Sequence, residues 1–148
     1  MVSLFHAFAI FPEDVPIPSA LFDHFAVACF GGAGKRPWLQ VRSWLTALMR
    51  LSLVNGSLQD GCFMHDIVRD YTISRCPDVR ARHRNLLQAI VDTPPKGGWL
   101  EAAFAGRANV TWYVAIHGCY HIRQAVDADE AHDPLIDQLV LDVVYDGT

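Results

Sequence analysis

The chain has 148 residues, of which 51% are hydrophobic, 11% aromatic and 19% charged, with a formal net charge of −4. That balance excludes intrinsic disorder and leaves room for one ordinary domain or two small ones with a real core. Eight Pro and ten Gly are too few for a collagen-like or low-complexity chain. Apolar runs such as Ala7-Phe8-Ala9-Ile10-Phe11 fall far short of a membrane-spanning helix.

Charge is unevenly spread. Residues 1–34 carry three acids and no Lys or Arg, residues 35–84 nine bases against four acids, and residues 85–148 three bases against nine acids. A basic middle between acidic flanks suits a phosphate-bearing ligand, or simply attraction between segments of one fold. The four cysteines (Cys29, Cys62, Cys76, Cys119) form no C-x-x-C pair, so neither a zinc ribbon nor a disulfide framework is indicated. The apolar N-terminus lacks the basic n-region and cleavage site of a signal peptide. The expectation is a reducing cytoplasm with free thiols and no membrane association.

In chain order, Ser3 to Phe11 is apolar nearly all round, as in a short buried helix that Pro12 ends. Val15-Pro16-Ile17-Pro18 is expected to be extended, because a residue before proline avoids the α region. Ser19 reads as the N-cap of a second helix with Leu21, Phe22, Phe25, Ala26 and Cys29 on one face. Gly31-Gly32-Ala33-Gly34 breaks that helix. A third helix is predicted over Trp38 to Leu51, with Val41, Trp44, Leu45, Leu48 and Leu51 as its buried stripe.

Leu53-Val54 and Cys62-Phe63-Met64 are short apolar runs around the turn pairs Asn55-Gly56 and Asp60-Gly61, which reads as a β-hairpin. Asp66 is placed as the N-cap of a helix over Ile67 to Arg75 that Pro77 helps to end. Three helices followed by a hairpin is the arrangement of a winged helix, expected over residues 1–76. Residues 78–148 read as an all-helical domain, so the fold class is mainly α. There Val79, His83, Leu86, Leu87 and Ile90 repeat at helical spacing, Thr93 to Gly98 forms a break, and Trp99 to Ala105 is a short helix. Asn109 is set to cap Val110 to Ala125, with Tyr113, Ile116 and Tyr120 on one face. Pro134 fits the first position of a last helix bearing Leu135, Ile136, Leu139, Val140 and Val143.

Two constellations fail on inspection. Phe30 to Arg36 imitates a phosphate loop, but Cys29 stands where the first glycine belongs, Arg36 where Ser or Thr binds Mg²⁺, and a helix precedes it rather than a strand. His117 and His121 share a helical face, but Gly118 replaces the glutamate of a zincin and no third ligand is evident, so they read as core or surface histidines. No nucleophile–base–acid arrangement is present. Catalytic residues and metal ligands are therefore expected to be none.

Phe63-Met64-His65-Asp66-Ile67-Val68-Arg69-Asp70-Tyr71 is the informative stretch. His65 lies where a strand hands over to a helix, beside N–H groups that favour anions. Asp66 is suited to hold that helix start, and Met64 to point into the core. Such a histidine is either a structural residue or a ligand contact.

With these residues in place, the chain resembles a known family. Leu4-Phe5-His6-Ala7-Phe8-Ala9-Ile10-Phe11-Pro12-Glu13-Asp14 with Pro16-Ile17-Pro18 is similar to the opening of the winged-helix domain in NB-ARC, or STAND-class, signalling NTPases. Leu51-Ser52-Leu53-Val54 resembles that family's strand before the wing, and Met64-His65-Asp66 with Arg69-Asp70-Tyr71 its MHD motif and following helix. The resemblance covers residues 4–75. Residues 78–146 resemble more loosely the second helical domain of members akin to apoptotic protease-activating factor, through Trp112-Tyr113, Tyr120-His121-Ile122 and Leu139-Val140-Leu141-Asp142.

In that family a nucleotide-binding module precedes the winged helix, and the motif histidine contacts the β-phosphate of ADP. The resemblance implies that His65 is the nucleotide sensor, with Met64 and Asp66 holding its backbone. ADP or ATP would be bound only together with a nucleotide-binding module, present in cis or in trans, and exchange of ADP for ATP would permit homo-oligomerisation. The Walker A lysine and the Mg²⁺-binding acid are absent from these residues, so no ATPase activity is expected. The chain starts at the family's winged-helix boundary, as a fragment, truncated gene model or degenerate paralogue would. Some apolar surface, including Trp38, Trp99 and the flank of His65, would then serve a neighbouring module. The alternative is a free-standing DNA-binding winged helix using residues 35–84, with Arg42 and Arg50 on the recognition helix. That helix offers few polar side chains for base edges, and phosphate-neutralising bases are sparse, so nucleic acid is the weaker partner.

Overall fold

A computed structural model describes residues 1–23, 37–92, 109–126, 133–135 and 137. The protein is mainly helical, with a small two-stranded antiparallel sheet. Its elements are α1 (Val2–Ala7), a 3-10 turn (Phe8–Ile10), α2 (Pro37–Arg50), β1 (Asn55–Ser57), β2 (Gly61–Phe63), α3 (Asp66–Arg75), α4 (Val79–Asp92) and α5 (Asn109–Ala125). Residues 19–23 are also helical, as are 134, 135 and 137. The glycine break at 31–34, the expected Trp99–Ala105 helix and most of the final helix lie outside the described residues. Among those described, no helix is long and apolar enough to cross a membrane.

The apolar opening is buried as its composition demands: Leu4, Ala7, Phe8, Ala9, Ile10 and Phe11 are all excluded from solvent. Its α-helix tightens into the 3-10 turn before Pro12. Phe8, Phe11 and Phe22 form an aromatic cluster with ring centroids 5.0 to 6.1 Å apart. From it the core runs without interruption through Val41, Leu45 and Leu48 of α2, Val54, Cys62 and Met64 around the hairpin, then Leu86, Leu87 and Ile90 of α4 and Tyr113 of α5. Residues on both sides of position 77 therefore share one cluster.

Several expectations change in detail. Ser19 does not cap its helix: its hydroxyl donates to the Leu58 carbonyl at 2.8 Å and ties residues 15–19 to the hairpin. Leu51 is exposed rather than buried, and residues 51–54 form a turn rather than a strand. The cause is the end of α2. Ser52 adopts φ +56°, and the Ser52 and Leu53 N–H groups reach back to the Met49 and Leu48 carbonyls, which satisfies the last carbonyls and reverses the chain.

Neither Asn55-Gly56 nor Asp60-Gly61 forms the tip of the hairpin. Asn55 pairs with Phe63, Gly56 with Cys62 and Ser57 with Gly61. The tip is built on Ser57, whose Oγ accepts the N–H groups of Gln59 and Asp60 and donates to the Asp60 carboxylate. Gly56, at φ +94°, lies so close to the Gly61 carbonyl that a Cβ would collide with it. Ile17 adds a single bridge to Cys62, with both N–H···O bonds at 2.8 Å. Pro16 and Pro18 on either side, whose nitrogens face away from β2 in this pairing, have no N–H to offer a further strand.

α4 and α5 are joined by a buried polar network. His83 Nδ1 lies 2.9 Å from His121 Nδ1, and His121 Nε2 lies 2.9 Å from the Tyr113 hydroxyl. Both imidazoles are about 1% exposed, and Phe11 packs edge-on against His121. His121 thus belongs to the core with both nitrogens engaged, while its helical neighbour His117 stacks against Tyr113. Ile116, expected on one face of α5 with Tyr113 and Tyr120, is exposed beside Trp112, on the rim of an open groove with Pro16 and Pro18. Asp133 accepts the Leu135 N–H, caps the start of the final helical residues ahead of Pro134, and pairs with Arg84 of α4 at 2.6 Å.

Burial holds both imidazoles neutral. It pushes His83 down to about 4, helped by the Arg69 cation, and His121 down to about 3, helped by His83 and His117. The unfolded chain takes up these protons below about 6.5, before the folded chain does, so stability is full above that pH and is lost as pH falls toward 4. Urea denaturation should therefore show a stability lower by on the order of 3 kcal/mol at about pH 5 than at about pH 7.5. A flat profile over that range would contradict the burial of two neutral imidazoles.

Candidate functional site

β2 runs straight into the three residues of interest. Side chains alternate along an extended segment, so Phe63 and His65 face one way and Met64 the other. Met64 is 2% exposed and belongs to the core, where Thr72 of α3 packs against its sulfur. The His65 ring stands on the outside, 60% exposed, with the Phe63 ring edge-on at 5.5 Å.

His65 rather than Asp66 is the N-cap of α3. It is the last extended residue, with φ −67° and ψ +153°, and its carbonyl accepts the first helical hydrogen bond from the Arg69 N–H at 2.9 Å. Asp66 occupies the first helical position and accepts the Ile67 N–H through Oδ1 at 2.6 Å. Its carboxylate there complements the positive end of the helix. The side chain of His65 caps nothing on α3 and is free to turn elsewhere.

It turns to Asp14. His65 Nδ1 lies 3.1 Å from Asp14 Oδ1, a contact that spans 51 positions of sequence. The apolar–Pro12-Glu13-Asp14 segment and Met64-His65-Asp66 thereby meet in space. Asp14 stands in the sequence as part of a motif with no role of its own, because nothing local shows which long-range partner an exposed acid will find.

A second missed residue makes the meeting possible. Arg69, one turn into α3, donates from Nε to the Phe11 carbonyl at 2.6 Å and from Nη2 to the Tyr120 hydroxyl of α5 at 3.2 Å. The planar guanidinium fork holds the residue from which the Pro12–Asp14 turn departs. Its signal in the sequence was position alone, four residues after His65.

Magnitudes separate the roles. Asp14 sits at φ +53°, in the left-handed region, which costs roughly 1 kcal/mol for a residue with a Cβ. An ion pair as exposed as His65–Asp14 returns about 0–1 kcal/mol. The two roughly cancel, so the pair contributes little to stability. The arrangement presents an imidazole beside the N–H groups at the start of a helix, a chemistry suited to an anion. Among the described residues, no group of three or more His, Cys, Asp or Glu side chains is arranged to hold a metal ion.

Compared with protein-family models, curated proteins and solved structures, the chain gives no match.

Alanine at these positions should behave in opposite ways. Met64→Ala is expected to cost about 2–5 kcal/mol of stability by opening a cavity, and His65→Ala to change stability by less than about 1 kcal/mol. Thermal or urea unfolding of the two variants checks this; an equal loss in both would make His65 a structural residue.

Proposed function

We propose that this chain is the regulatory part of a nucleotide-dependent signalling switch of the NB-ARC, or STAND, kind. In this reading residues 1–76 act as a winged helix and residues 78–148 as the helical domain beside it. The observation that carries the proposal is the division of labour at 64–66. Met64 is locked in the core, Asp66 is bonded at the helix start, and the His65 ring projects from that fixed backbone, held by Asp14. A sensor needs that combination of a rigid base and an exposed reading group.

His65 then contacts the β-phosphate of ADP bound in a separate nucleotide-binding module, in cis or in trans. The chain itself contributes no catalytic group and no phosphate loop. Ile67, 80% exposed, and Tyr71, 54% exposed, lie four positions apart on α3 and offer an apolar surface to that module. Loss of the ADP contact frees the winged helix to rotate and the assembly to form homo-oligomers in the cytoplasm.

The DNA-binding alternative draws less support from the geometry. On α2, Val41, Leu45 and Leu48 are buried, and Arg42 is paired with Asp23 at 3.2 Å. Arg69 is committed to Phe11 and Tyr120, Arg84 to Asp133, and Arg75 lies over the Tyr71 ring. Among the described residues, these four bases of the stretch are engaged within the fold.

The test joins the chain to a P-loop nucleotide-binding module and measures ADP affinity. His65→Ala should weaken it by about 10- to 100-fold, the worth of one charge-assisted hydrogen bond. Unchanged affinity would remove the sensor role, and tight, steeply salt-dependent DNA binding by the chain alone would favour the alternative.

A further inference from the structure

We infer that Asp14 is a positioning residue that biases the proton of the neutral His65 ring toward Nδ1, so that Nε2 meets a phosphate oxygen best when the ring is a cation. The ligand in this inference is the phosphate of the nucleotide reading above, and the inference rests on that reading. The tautomer it requires does not.

The chemistry follows from donor and acceptor counts. An ionised carboxylate only accepts hydrogen bonds, so the 3.1 Å contact to Asp14 Oδ1 places a proton on His65 Nδ1. In the neutral ring that leaves a lone pair, not a hydrogen, on Nε2. No hydrogen-bond partner meets Nε2 among the described residues, and the side chain is 60% exposed, so Nε2 is the ligand-facing atom. A phosphate oxygen is also an acceptor, and two acceptors do not bond. From that tautomer, contact takes one proton from solvent onto Nε2, while Nδ1–H stays on Asp14. The product is a carboxylate–imidazolium–phosphate chain with alternating charge.

The surroundings fit a single proton uptake at this ring. The charged groups on the elements packed against it are Glu13 and Asp14 in the turn and Asp66, Arg69, Asp70 and Arg75 on α3. Asp66 Oδ1 is occupied by the Ile67 N–H, and the Arg69 guanidinium is turned to Phe11 and Tyr120. β2 contributes only the uncharged Phe63 ring. Asp14 is therefore the carboxylate bonded to the imidazole, and its left-handed backbone, at φ +53°, is the conformation that aims it there. A ligand offering a hydroxyl or amide N–H would instead donate to the neutral Nε2 with no proton taken up. The site thus distinguishes an anionic phosphate from a neutral donor by its proton balance.

The first readout is long-range ¹H–¹⁵N NMR of the 148-residue chain at neutral pH. The neutral His65 ring should carry its proton on Nδ1. Asp14→Gly removes the carboxylate without burdening the left-handed backbone, and should shift the ratio of the two tautomers toward Nε2–H by about fivefold, the upper worth of an exposed pair. Asp14→Asn, whose amide oxygen still accepts, should retain most of the Nδ1–H form. A wild-type proton on Nε2, or an unchanged ratio in Asp14→Gly, overturns the inference. The second readout is ADP affinity of the chain joined to a nucleotide-binding module, which should tighten several-fold as pH falls from about 8 to about 6 and lose that slope in His65→Ala. Affinity that His65→Ala weakens but pH leaves unchanged overturns the proton uptake and leaves the sensor role standing. Affinity indifferent to His65→Ala overturns the sensor role, and the tautomer ratios then decide the positioning by Asp14 alone.

Discussion

Arg69 is the residue on which the arrangement turns. Its backbone N–H closes the first turn of α3 on the His65 carbonyl, and its guanidinium fork reaches the Phe11 carbonyl and the Tyr120 hydroxyl. One side chain thus connects the helix that carries the candidate sensor, the segment that carries Asp14, and the helical region after position 77. The Phe11 carbonyl precedes a proline, and the chain leaves it in an extended conformation. Loss of the guanidinium would remove a donor from a backbone carbonyl beside a buried phenylalanine, at a cost of about 1 kcal/mol.

Burial and exposure are distributed around that contact according to role. Beneath it lie groups that tolerate no change of charge: His83 and His121, held neutral, and Tyr113, whose hydroxyl burial pushes far above its ordinary range. The Arg69 cation adds to the cost of charging His83. Above it lies the His65–Asp14 pair, half in water, whose net worth to the fold is near zero. The protein therefore holds one pair of imidazoles buried and neutral and leaves the His65 imidazole exposed.

The parts legible in the sequence were those governed by short-range rules. Apolar spacing located α2, α4 and α5 to within a residue or two, and alternation placed Met64 in the core and His65 outside it. Turn pairs located the hairpin but not its tip, because Gly56 is needed where it meets the Gly61 carbonyl of the facing strand and Gly61 where it meets Pro16 and Ile17. Ser19 has the chemistry of a cap, yet the Leu58 carbonyl competes for its hydroxyl across 39 positions. The partners of His65, Arg69 and His121 lie 51, 58 and 38 positions away, a separation at which periodicity carries no information. The candidate site was thus visible as residues and invisible as a geometry.

The central claim is that Arg69 brings Asp14 against His65, and the direct measurement is a set of nuclear Overhauser contacts between the His65 ring protons and the Asp14 β-protons. They should be present in the wild-type chain. In Arg69→Met, which keeps the hydrocarbon stem and removes both side-chain hydrogen bonds, they should weaken or vanish while contacts within the Phe8–Phe11–Phe22 cluster persist. Their absence from the wild type, or their full survival in Arg69→Met, would contradict the account.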